Sequence, residues 1–157
     1  PDRAHPRAGD PDVEPADRAG ERSGEAPDAH IRSGSGANAY RDAHELLKAH
    51  AKVLGNAHFF AGGIADAKLF LDMGYTVSFT GVITFTHDYD EVVAYVPLDM
   101  IHAETDAPYV TPAPHRGTRN EPFHVQEVVK KIAEIKKLDL ETVRAQLREN
   151  TRRIFGV

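Results

Sequence analysis

From residue 39 onward, apolar positions recur in blocks that alternate between helical and extended spacing. Ala43, Leu46, Leu47, His50, Val53 and Leu54 fall at helical intervals. They predict an amphipathic helix over 39–54, stopped by Gly55. Residues 56–61 make a short apolar run, read as a buried strand that Gly62-Gly63 ends. Residues 64–73 read as a short helix with Ala67, Phe70 and Leu71 inward, turned by Gly74. Residues 76–85 are dense in β-branched and aromatic side chains and predict a strand, with Gly81 as a candidate break. A helix over 89–96 stops before Pro97, and a strand follows over 100–104. Residues 123–137 predict a helix with Val128, Val129, Ile132 and Ile135 on one side. The last helix starts at Asp139, a good N-cap, and runs to about residue 153.

Strands that alternate with helices imply an α/β fold with a parallel sheet. Four strands are expected, near residues 30, 57, 77 and 102, and no internal repeat is visible. The pattern fails upstream. Between Pro1 and Ala29 the only large apolar residue is Val13, and the first aromatic residue is Tyr40. Such a segment cannot bury enough surface to offset its ordering entropy. Residues 1–29 are therefore expected to be disordered or loosely attached, and 30–157 to form the domain. Residues 33–38 read as a Ser/Gly loop.

Composition narrows the function classes. A net charge of −5 over 157 residues argues against a broad basic surface for nucleic acid, but allows one local basic loop. The absence of cysteine excludes disulfides, thiolate metal sites and cysteine nucleophiles. No run is apolar enough for a membrane helix and no signal peptide is visible, so a cytoplasmic location is the default expectation.

Functional groups in parallel α/β folds collect at the C-terminal ends of strands. His30, His58 and Asp106 fit such positions, and two imidazoles with a carboxylate suit Zn2+, Mn2+ or similar ions. Each also has a structural reading: a histidine on an apolar strand is commonly a packed core residue, and an aspartate before Ala-Pro commonly makes a turn. After Asp106 comes a loop rich in Pro, Gly and Arg, the layout of a metal site beside a phosphate-binding loop. His44-Glu45-Leu46-Leu47-Lys48 nearly reads as a zinc-protease helix, but Lys48 stands where the second ligand is needed. His87, His102, His115 and His124 need no functional role.

Several motifs together resemble the C-terminal part of the TatD family of metal-dependent deoxyribonucleases. His30-Ile31-Arg32 looks like its His-x-Arg strand end. His58-Phe59-Phe60-Ala61-Gly62 is similar to its His-x-Phe-Ser-Gly motif, with Phe and Ala substituted. Ser78, Gly81, Thr84 and Phe85 carry its Ser-x-x-Gly-x-x-Thr-Phe pattern. The most specific matches are Glu104-Thr105-Asp106 and Arg116-Gly117-Thr118-Arg119-Asn120-Glu121-Pro122, and Asn150 to Phe155 resembles its terminal Asn-x-x-x-x-Phe signature. The resemblance implies a TIM-like (β/α)8 barrel, divalent ions (Mg2+, Mn2+ or Zn2+, normally two), and DNA phosphodiesters as substrate. His30, His58 and Asp106 would be ligands, and Asp106 would also orient or deprotonate the attacking water. Arg32, Arg116, Arg119 and Asn120 would face the substrate, the arginines offering planar forks to phosphate oxygens. Glu104 would stand behind the ligands or on the substrate face. Tyr109 would stack on a base or close over the barrel mouth.

The family builds its site on a barrel of roughly 250 residues, with a His-x-His pair on the first strand and a bridging Glu on a middle strand. No His-x-His occurs here. The expectation is therefore a fragment with about half a barrel, weak or absent activity, and self-association through exposed sheet edges. Two functions remain open: a two-metal phosphodiesterase, or a non-catalytic remnant or association module. Related barrels also hydrolyse amides and esters, and the arginine-bearing loop tilts the choice toward phosphodiesters.

Overall fold

The computed structural model describes residues 26–31, 38–51 and 53–157. Four short strands, β1 (Asp28–His30), β2 (Asn56–His58), β3 (Thr76–Phe79) and β4 (Ile101–Ala103), form one parallel sheet in sequential order. Helices connect them: α1 (Ala39–His50) joins β1 to β2, α2 (Ile64–Leu71) joins β2 to β3, and α3 (Asp90–Tyr95) joins β3 to β4. Two more, α4 (Val125–Lys136) and α5 (Leu140–Phe155), follow. This is a partial (β/α) barrel. Among the described residues no helix is long and apolar enough to cross a membrane.

Register sorts the strand residues onto two faces, because alternate side chains point to opposite sides. Ala57, Val77, Phe79 and Ile101 share the face that packs against the helices, and all are fully buried. Ala67, Phe70, Val93, Val128, Ile132 and Val143 complete that core. The other face is polar throughout. It presents Asp28, His30, Asn56, His58, Thr76, Ser78 and His102. Asn56 ties this face together, donating from Nδ2 to Asp28 Oδ1 at 2.8 Å and to Ser78 Oγ at 2.9 Å, and accepting from Thr76 Oγ1 at 3.1 Å. A polar inner face buries only where each group has a partner, and this ladder supplies them.

Most element boundaries contract relative to the sequence pattern. α1 ends at His50 rather than 54, and Leu46 and Leu54 are exposed. Its buried edge is Tyr40, with Ala43 and Leu47 against the core, a stripe set by residues spaced three and four apart. β2 stops at His58 because Phe59 turns into the left-handed region at φ 48°. β3 stops at Phe79, and a 3-10 turn over Gly81–Thr84 replaces the expected extension. The glycine is required there: a Cβ at Gly81 would lie 2.3 Å from the Val110 carbonyl oxygen. α5 begins as expected, with Asp139 Oδ2 accepting from the Thr142 amide at 3.0 Å. It is pinned to β4 by Asn150, whose buried Nδ2 donates to the carbonyls of Leu98 and Ile101, both at 2.8 Å.

Strand structure reaches further upstream than the sequence suggests. β1 begins at Asp28, inside the segment expected to be disordered. Residues 1–25, Arg32 and residues 33–37 of the Ser/Gly loop lie outside the described residues.

Candidate metal centre

The site forms where the polar face reaches the C-terminal ends of the strands. His58 is its hub. Its Nδ1 lies 2.7 Å from Glu104 Oε2 and 3.5 Å from Asp28 Oδ2, and its Nε2 lies 3.6 Å from Asp106 Oδ1. The His30 ring sits 5.2 Å from the His58 ring, centre to centre. The sequence-predicted trio of His30, His58 and Asp106 is thus brought to one place. Two carboxylates join it. Asp28, His58 and Glu104 each offer a donor atom, and these atoms lie within 4.8 Å of one another.

Local backbone explains the convergence. The Phe59 turn directs its N–H at Glu104 Oε1, 2.7 Å away. The Glu104 amide in turn donates to the Phe79 carbonyl at 3.0 Å, which continues the β4 ladder past Ala103. Asp106 is left-handed at φ 54°, a conformation that aspartate tolerates better than most residues. Its carbonyl accepts from the Tyr109 amide at 2.9 Å, closing a turn.

The electrostatics call for a cation. Glu104 and His58 are about one-fifth exposed, and Asp106 and Asp28 more open at 29% and 47%, so the cluster is partly desolvated. Burial pushes the Glu104 carboxyl up, against the opposing pull of His58, the Phe59 N–H and Ser78. Among the described residues no lysine or arginine pairs with Asp28, Glu104 or Asp106. Three carboxylates around imidazole, without a compensating side-chain cation among the described residues, match the donor set of a divalent ion. His102, deeper on the same face, is nine-tenths buried. Burial, aided by the nearby Arg153, holds its pKa down at about 4, so it is neutral.

The Pro/Gly/Arg loop departs from its expected role. Asn120 is buried and wholly engaged. Its Nδ2 donates to the carbonyls of Thr105 at 2.7 Å and Tyr109 at 2.6 Å, and its Oδ1 accepts from the Glu121 amide at 3.0 Å. It is a brace for the Asp106 turn and is not presented to substrate. Arg116 lies with its guanidinium 3.8 Å over the Phe85 ring and donates to the Thr111 carbonyl at 2.8 Å. It too packs the loop. Arg119 is exposed and makes no hydrogen bond or ion pair among the described residues, leaving it as the available cation. Tyr109 is 71% exposed.

Asp28 was missed because Asp28-Ala29-His30 carries no large apolar residue. The signal was its alternation: Asp28 and His30 repeat the polar spacing of Asn56 and His58, which lie beside them in register.

Parallel strands whose C-terminal ends gather imidazoles and carboxylates define a metal-dependent hydrolase type of barrel site. The family model described as TatD related DNase matches residues 28–156, and the chain belongs to that family. An uncharacterized metal-dependent hydrolase of Buchnera aphidicola subsp. Baizongia pistaciae is 32% identical over 124 residues, covering 76% of this chain and 47% of that protein. The uncharacterized metal-dependent hydrolase YabD of Bacillus subtilis is 38% identical over 105 residues, covering 66% and 41%. In structure, the chain is similar to YJJV, a TatD homolog from Escherichia coli K12, with a TM-score of 0.77 at 23% identity. That match covers 90% of this chain and 54% of the other. A TatD family hydrolase of Entamoeba histolytica gives 0.76 at 16% identity, covering 88% and 54%. The chain spans about half the length of these relatives.

Proposed function

We propose that this protein is a metal-dependent phosphodiesterase acting on DNA. The observation that carries this reading is the ring of carboxylates around His58, which lacks a lysine or arginine counter-charge among the described residues. Asp28, His58 and Glu104 would hold a divalent ion, with His30 and Asp106 alongside. Such an ion supplies Lewis acidity, lowering the pKa of a water and neutralising charge on the scissile phosphate. Asp106, more open than Glu104 at the same strand end, orients the attacking water and accepts its proton. His30 stands exposed at the rim, where a phosphate oxygen enters. Arg119 offers that oxygen a planar donor pair.

Calorimetric titration with Mn2+ or Zn2+ and chelator-sensitive cleavage of a single-stranded oligonucleotide test this reading. Ion binding with cleavage that disappears in Asp106→Asn supports it. Failure to bind either ion overturns it. Ion binding with no cleavage above the chelated control would show binding without turnover.

A further inference from the structure

We propose that the cavity beside the metal centre seats a nucleobase, with Phe59 and Tyr89 as its recognition surface. This rests on the phosphodiesterase reading and adds which part of the substrate is gripped. The cavity holds about 580 Å³, within the range of roughly 300–1,000 Å³ usual for small-molecule sites. His30 and Asp106 line it and also belong to the metal cluster, so the two sites are continuous. Away from them the wall is aromatic and aliphatic, including Phe59, Val82, Tyr89 and Val110, and among the described residues it contains no lysine or arginine. A phosphate has no partner among these side chains. A flat, neutral, aromatic group does.

Phe59 is the main argument. It occupies the left-handed region at φ 48°, where a bulky side chain carries strain that only its surroundings can impose. Its N–H is held by Glu104 Oε1 at 2.7 Å, so the turn serves the cluster. Glycine would make the same turn at lower cost. The benzyl ring instead stands at 86° to both the His30 and His58 rings, at 6.5 and 6.4 Å, on the cavity wall. Tyr89 is half-buried, and its hydroxyl makes no hydrogen bond among the described residues. Tyr40 differs: its hydroxyl already accepts from the Ala61 amide at 2.8 Å. The cavity therefore offers a stacking surface and, among the described residues, a tyrosine hydroxyl without a hydrogen-bond partner. That combination holds any base by its π-face and touches its edge once.

The test compares thymidine 5′-monophosphate with 2-deoxyribose 5-phosphate in the presence of Mg2+, with dissociation constants read from amide chemical shifts. The nucleotide is expected to bind about tenfold or more tightly than the sugar phosphate. That ratio should fall toward one in Phe59→Gly, which suits the local backbone, and independently in Tyr89→Ala. Equal binding of the two probes, or a ratio unchanged in both variants, overturns the base seat and leaves the phosphodiesterase reading standing. If neither probe binds, both readings fall.

Discussion

Glu104 and His58 meet at 2.7 Å although their strands are not neighbours. β3 lies between them, and strands two apart in a flat sheet are separated by about 9.5 Å. The contact exists because the sheet curls toward its polar face and both side chains reach inward from strand ends. The same carboxylate takes the Phe59 amide with its other oxygen. One side chain thus sets the imidazole orientation and the turn that ends β2.

Replacing Glu104 with Gln keeps the shape but removes the charge. The Phe59 amide retains an acceptor, so the fold should survive with a thermal midpoint near that of the parent. Ion affinity should drop about tenfold or more, the scale seen when a partner of a metal-site histidine is lost. Titration calorimetry with Mn2+ gives the answer, and unchanged affinity would remove Glu104 from the site.

Asn120 holds the Asp106 turn from beneath. Asn120→Ala removes the donor of two part-buried hydrogen bonds, to the carbonyls of Thr105 and Tyr109. Leaving such groups unpaired costs about 1–3 kcal/mol, which should appear as a lower urea midpoint. If Asn120 instead contacted phosphate, the variant would lose ligand affinity at full stability.

The fold was readable where pattern and burial coincide. Val77 and Phe79 alternate with Thr76 and Ser78, and Val128 and Ile132 recur at helical spacing, so β3 and α4 were plain. The short edge strand β1 was expected near residue 30, but its start at Asp28 was not, because Asp28-Ala29-His30 faces polar neighbours and carries no hydrophobic signal. His30, His58 and Asp106 were legible as a trio from strand-end position and family motif. That Glu104 reaches two strands across, that Asn120 turns inward, and that Arg116 lies over Phe85, depends on sheet curvature and loop packing. Linear spacing does not encode these.

Asp139 links the last helix to pH. Its carboxylate caps α5 by accepting from the Thr142 amide, and that bond lowers its pKa below the ordinary 3.8. A folded-state pKa below the unfolded one means the cap's contribution is complete above the unfolded value and fades as pH falls through the folded value. Asp139→Ala should therefore be less stable than the parent near neutrality. The gap should narrow as pH drops below about 4. Urea midpoints for both proteins across that range test the sign. A gap that stays constant with pH would show that the carboxylate charge is irrelevant to the cap.

Gly81 ties the end of β3 to the loop that carries Asp106. A Cβ there would lie 2.3 Å from the Val110 carbonyl oxygen and 2.9 Å from the Pro112 nitrogen, both backbone atoms that cannot swing aside. Val110 is itself left-handed at φ 52°, so the loop has little freedom to yield. Gly81→Ala should lower stability by about 1–3 kcal/mol, as overpacking does. It should also weaken ion binding, although Gly81 touches no candidate ligand, because the displaced loop takes Asp106 with it. Gly63 provides the comparison: a Cβ at that position meets nothing within 4 Å, and serine is a better N-cap than glycine for α2. Gly63→Ser should leave ion affinity intact and stability equal or slightly higher. If Gly81→Ala loses stability but keeps full ion affinity, Asp106 is held independently of the β3 turn, and the loop's contact with Gly81 serves packing alone.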